Sequence, residues 1–134
     1  MLQMQRVPRM IREEATMATL AGSGVNLNSL DRARAKLGLE WDEIAAILGV
    51  NRSTVHRWRT HEAAPRPIAW TRIAQLGELM QLLPRIFAGP DLARKWLREA
   101  RPELLGGKAT PLDVMLAGRL DRVLMVLEFL ERGA

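Results

Sequence analysis

Arg52, Ser53, His56 and Arg57 stand close together in a chain of 134 residues, at spacings that place them on one side of a short helix. Two guanidinium forks, a hydroxyl and an imidazole in that arrangement offer hydrogen bonds to flat polar edges and to anionic oxygens. Their chemistry is recognition, because the partners that catalysis needs are missing. The chain has no cysteine and no tyrosine, and its histidines are His56 and His61. No serine is paired with a base, and no ligand spacing suits zinc. The expectation is a protein that is not an enzyme and that uses no metal, cofactor or small-molecule substrate.

These side chains need a scaffold, and the run from Trp41 to Arg59 supplies one as two short helices joined by a tight turn. Each helix has about eight residues and a length of about 12 Å, too short to stand alone in water, so packing must hold it. Ile44, Ala45 and Leu48 share a face of the first helix, Val50 follows the turn, and Val55 and Trp58 share a face of the second. Ala45 is small enough for a close, steep crossing. Gly49 suits a left-handed helix end. Asn51 can cap the second helix by accepting from the backbone N–H of Ser53 or Thr54. With the apolar face inward, Arg52, Ser53, His56 and Arg57 point outward near the helix end that enters the major groove in helix-turn-helix proteins.

The run resembles the helix-turn-helix of Xre-type DNA-binding proteins, with Ala45, Gly49, Val50, Val55 and Trp58 at the family's small, turn and core positions. Glu40 departs from the pattern, standing where the family commonly has a serine or threonine cap. The expected DNA-binding set is Asn51, Arg52, Ser53, Thr54, His56, Arg57, Arg59 and Arg66. Arg52, Ser53, His56 and Arg57 are expected at base edges, and Arg59 and Arg66 at phosphates. A homodimer on double-stranded operator DNA is expected, because one short helix reads few base pairs.

Charge points the same way. The formal net charge is +5, and from Asn51 to Arg72 the five arginines Arg52, Arg57, Arg59, Arg66 and Arg72 face Glu62 alone. A solvated face is usually mixed in sign, whereas a one-sided run beside a helix-turn-helix suits nucleic acid. The chain is 48% hydrophobic and 26% charged, ordinary for a folded globular protein. No apolar run approaches the ~18 residues of a membrane span, and no secretory signal is visible behind Arg6, Arg9 and Arg12, so the expected location is cytoplasmic.

In chain order, residues 1–28 form an N-terminal arm with a broken apolar stripe, read either as a docking segment or as a frayed terminus. Residues 29–60 form the helix-turn-helix domain. Its scaffold helix runs from Leu30 to Leu37, with Asn28 or Ser29 as cap and Gly38 as stop. Residues 61–67 read as a linker. Residues 68–134 form a second helical unit whose first helix carries Ile68, Trp70, Ile73, Leu76, Met80 and Leu83, with Pro84 bending or restarting it. A short helix follows over Leu92 to Leu97, and Trp70 and Trp96 read as core. Gly106-Gly107-Lys108 lacks the remaining residues of a phosphate loop. Thr110, Pro111 and Asp113 instead read as cap, first position and capping-box partner of a helix ending at Gly118. A last helix carries Leu120, Val123, Leu124, Leu127 and Leu130.

Trp96-Leu97, Pro102, Leu104, Gly106-Gly107, Thr110-Pro111-Leu112-Asp113, Gly118 and Gly133 together resemble the C-terminal toxin-binding domain of the Xre/MbcA/ParS antitoxins. That resemblance implies an all-α protein, an N-terminal helix-turn-helix followed by a small C-terminal helical bundle. It further implies the antitoxin of a type II toxin–antitoxin pair, which neutralises an NAD-consuming RES-domain toxin by occluding its active site and represses its own operon. By that analogy the end of the chain, Leu127, Phe129, Leu130, Glu131, Arg132, Gly133 and Ala134, meets the toxin. Leu127 and Leu130 read equally well as the end of the core. The alternative function is a free-standing repressor whose C-terminal unit only dimerises it.

Overall fold

A computed structural model describes residues 27–101 and 107–133. The arm up to residue 26, the segment 102–106 with Pro102, Leu104 and Gly106, and Ala134 lie outside the described residues. The helices are α1 (Asn28–Leu37), α2 (Trp41–Leu48), α3 (Arg52–Arg59), α4 (Pro67–Ile86), α5 (Pro90–Leu97), α6 (Pro111–Leu116) and α7 (Leu120–Glu131). No strand occurs among the described residues, so the fold is all-α.

Local chemistry sets most helix ends. α1 begins at Asn28, with Leu27 in the cap position and no side-chain cap bond, so neither Asn28 nor Ser29 caps it. Ser29 lies fully buried instead. At the start of α2 the backbone N–H of Glu40 donates to Glu43 Oε1 at 2.8 Å, a capping bond reached without a serine or threonine. α2 stops at Gly49, whose φ of 76° lets the Val50 N–H reach back to the Ala45 carbonyl at 2.9 Å. α3 stops differently. His61 takes a φ of 63° with a side chain attached, and the Glu62 N–H bonds the Arg57 carbonyl at 2.8 Å.

Ile44, Ala45, Leu48, Val55 and Trp58 are buried as expected, Val50 is half-buried, and Ile47 and Leu39 join them. In α4 Pro67 takes the first turn, and the helix runs through Pro84 to Ile86 rather than restarting there. Trp70, Ile73, Leu76 and Leu83 are buried, but Ile68 is 65% exposed and Ala69, Leu79 and Leu82 are buried beside them. The extra buried positions arise because α4 contacts α1, α2, α5 and α7 and is therefore covered on more than one side, while Ile68, in the first turn, lies beside the exposed groove along α3.

That same packing joins the two halves. Segment 61–67 separates them in sequence, yet α1 packs on α4 and α5, and α2 packs on α4 and α6. The buried side chains of both halves form one cluster. A polar clamp reinforces it: Arg98 donates from Nη1 to the Leu37 carbonyl at 3.0 Å and from Nη2 to the Gly38 carbonyl at 2.8 Å, satisfying the open C-terminal end of α1.

α6 starts as expected. The Asp113 N–H donates to Thr110 Oγ1 at 3.0 Å and the Thr110 N–H to Asp113 Oδ2 at 3.1 Å, with Pro111 in the first turn. α7 buries Leu120, Val123, Leu124 and Leu127 against its neighbours. Just before it Arg119 grips Asp121 through two bonds of 3.1 Å, which hold that carboxyl below the usual carboxylate range. No helix among the described residues is long and apolar enough to cross a membrane.

Candidate functional site

Val55 and Trp58 are anchored at 1% and 3% exposure, and that anchoring turns the opposite face of α3 to solvent. Arg52, Ser53, His56 and Arg57 are all exposed on it. Asn51 secures the helix start, since its Oδ1 accepts from the Thr54 N–H, the Thr54 hydroxyl and the Ser53 hydroxyl, each at 2.8 Å. Asn51 Oδ1 and the half-buried Thr54 therefore position the helix before they can offer anything to a ligand. The Ser53 hydroxyl keeps its lone pairs for accepting.

The two flanks of α3 differ. Toward α2, Arg52 Nη1 lies 4.0 Å from Asp42, with both side chains largely in solvent. Arg59 Nη2 sits 3.0 Å from Asp31, and its guanidinium lies 4.2 Å from the centroid of the Trp41 ring. Arg59, expected at a phosphate, is thus already bonded and stacked within the chain. Asp31 lies 28 residues upstream, so no local pattern reveals the pairing. Toward α4, Arg66 is exposed and shares a groove of about 630 Å³ with Arg57.

The end of α7 forms a second candidate surface. Leu127 is fully buried and has no surface to offer a partner, which settles it as core; Leu130 is half-buried. Phe129 is 44% exposed and Met125, one turn earlier, 66%. Periodicity alone did not single out Met125, whose signal is its i, i+4 spacing to Phe129. Glu131 is engaged by Arg85, through Nε and through Nη2 at 3.4 Å, whereas Arg132 and Gly133 are exposed. Among the described residues no cluster of His, Asp or Glu is fit to hold a metal.

Comparison with known proteins covers the same two regions. Residues 29–64 match the homeodomain-like domain family. The mycobacterial cidal antitoxin MbcA of Mycobacterium tuberculosis and of Mycobacterium bovis is 27% identical over 116 residues, 82% of this chain and 96% of theirs. A chain from the crystal structure of the M. tuberculosis MbcT–MbcA toxin–antitoxin complex superposes with a TM-score of 0.59 at 22% identity, covering 81% of this chain and 95% of that one. A protein of M. tuberculosis described as a probable mycobacterial cidal antitoxin is 30% identical over 118 residues, 88% of this chain and 98% of its own. A chain matched almost end to end, with a helix-turn-helix packed onto a C-terminal helical unit, belongs to the Xre/MbcA-type antitoxin family.

Proposed function

We propose that this protein neutralises a cognate RES-domain toxin and represses its own operon through α3. The observation that carries the DNA half is the exposed set Arg52, Ser53, His56 and Arg57 on a helix whose start Asn51 fixes. A helix so capped can enter a major groove N-terminal end first, with guanidinium forks matched to guanine edges. A dimer spanning half-sites about 34 Å apart supplies the reading length. If it covers about six phosphates, affinity falls roughly a thousandfold between about 50 and 200 mM salt.

The toxin half rests on family membership and on the α7 surface. Met125 and Phe129 leave apolar area uncovered, the type of surface that suits a protein partner. Gly133, just past the end of α7, takes a left-handed φ of 77°. The NAD-consuming chemistry belongs to the partner, and a blocked cleft needs no catalysis from the blocker.

Co-expression with the neighbouring open reading frame tests the pairing. Growth rescue by the full chain, with loss of rescue for Phe129→Asp and for deletion of residues 132–134, is the expected result. Equal rescue by all three removes the α7 end as neutraliser. Absence of any complex with a RES-domain partner, alongside a stable dimer that binds DNA, favours instead a free-standing repressor.

A further inference from the structure

The arginines between Asn51 and Arg72 meet almost no acid in sequence, yet the fold sorts them into two groups. On the α2 side Arg52 faces Asp42, and Arg59 is held by Asp31 and Trp41. On the α4 side a groove of about 630 Å³ runs from the end of α2 along α3 to the start of α4, and Arg57, Arg66 and Arg72 line it without any acidic residue. Arg57 donates to Thr54 Oγ1 at 3.4 Å. Arg66 and Arg72 meet no carboxylate or other acceptor among the described residues.

Arg72 also reaches the reading unit itself. Its guanidinium packs against the turn of the helix-turn-helix, where a Cβ on Gly49 would collide with Nη1 and lie 3.5 Å from Cζ. Arg72 is half-buried there, with no acidic residue in the groove to neutralise it. Gly49 is required by its left-handed φ of 76°, and the open space it leaves is where this cation lies. Three positive charges in one groove repel each other and are relieved by an anion. Arg57 belongs both to this groove and to the outward face of α3, so an anion that lies here while α3 reads bases is the sugar–phosphate strand alongside.

We propose that Arg72, with Arg66, holds a DNA backbone phosphate on the α4 flank of α3, and that Arg59 contributes no phosphate contact. The assignment rests on the DNA-binding reading above and adds to it a residue from α4 and a side. Phosphate contacts of this kind position the protein without reading sequence.

The test is fluorescence anisotropy of the full chain on a promoter duplex and on a random-sequence duplex of equal length, across a salt series. Arg72→Ala, which removes one contact from each subunit of the dimer, should weaken both duplexes alike and reduce the salt slope by about 1.8, shrinking the affinity lost between about 50 and 200 mM salt by about 12-fold. Arg72→Lys should restore the slope, since a point charge serves a phosphate, and Arg59→Ala should leave it unchanged. A thermal melt of each variant separates lost folding from lost contact. A wild-type slope in Arg72→Ala overturns the assignment while leaving Arg57→Ala free to report on base reading. Failure of the unaltered chain to bind either duplex sinks the DNA reading along with it. Arg72-dependent binding of inorganic pyrophosphate without duplex binding would make the groove a free-anion site and overturns the assignment as well.

Discussion

α3 and α7 are both amphipathic surface helices, and they turn opposite kinds of face to solvent. α3 has eight residues, buries Val55 and Trp58, and shows three arginines, a serine and a histidine. α7 has twelve, buries Leu120, Val123, Leu124 and Leu127, and still leaves Met125 and Phe129 exposed. The contrast shows what each helix has left over once the core is made. Charged groups in water cost folding little and serve a polyanion; uncovered apolar area suits a protein surface.

The largest expected effects test whether the two helices share one fold. Trp58→Ala should cost about 3–5 kcal/mol and Leu127→Ala about 2–5 kcal/mol, because each empties a packed site. Denaturant unfolding should show both losses in a single transition. Two separable transitions would break the chain into independent units. Next, Arg57→Ala should cost about 1–3 kcal/mol of preference for the promoter duplex over random DNA while leaving stability within error. Uniform weakening on both duplexes would move Arg57 from base reading to backbone contact.

Smaller effects probe the ends of α3. Asn51→Ala removes the acceptor of three hydrogen bonds at the helix start and should lower stability by about 1 kcal/mol, read from the denaturation midpoint. At the other end His61→Gly should raise stability by about 0.5–1 kcal/mol, since His61 occupies a left-handed conformation that glycine adopts freely. An unchanged or lower midpoint would mean that the His61 side chain contributes more than its backbone strain removes.

The features legible in sequence were those whose causes lie within a few residues. Gly49, Asn51 and the spacing of Val55 and Trp58 announced the turn, the cap and the buried face of α3, and hence the four outward side chains. Thr110, Pro111 and Asp113 announced α6 in the same way. Features fixed by distant partners were not legible. Arg59 looked free because Asp31 is far upstream, and Arg72 looked like surface charge because only folding carries it to Gly49. Leu79 and Leu82 were missed because a stripe count assumes one covered side, whereas α4 is covered on several. Segment 61–67 looked like a boundary because proline and charge interrupt the helical pattern there, yet the packing crosses it.

If one core carries two separable faces, each face can be lost without the other. Arg57→Ala and Phe129→Asp are each measured against the promoter duplex and against the RES-domain partner. Arg57→Ala should lose promoter preference and keep the partner, while Phe129→Asp should lose the partner and keep promoter preference. Loss of both activities in either variant, with its melting temperature unchanged, would contradict that separation.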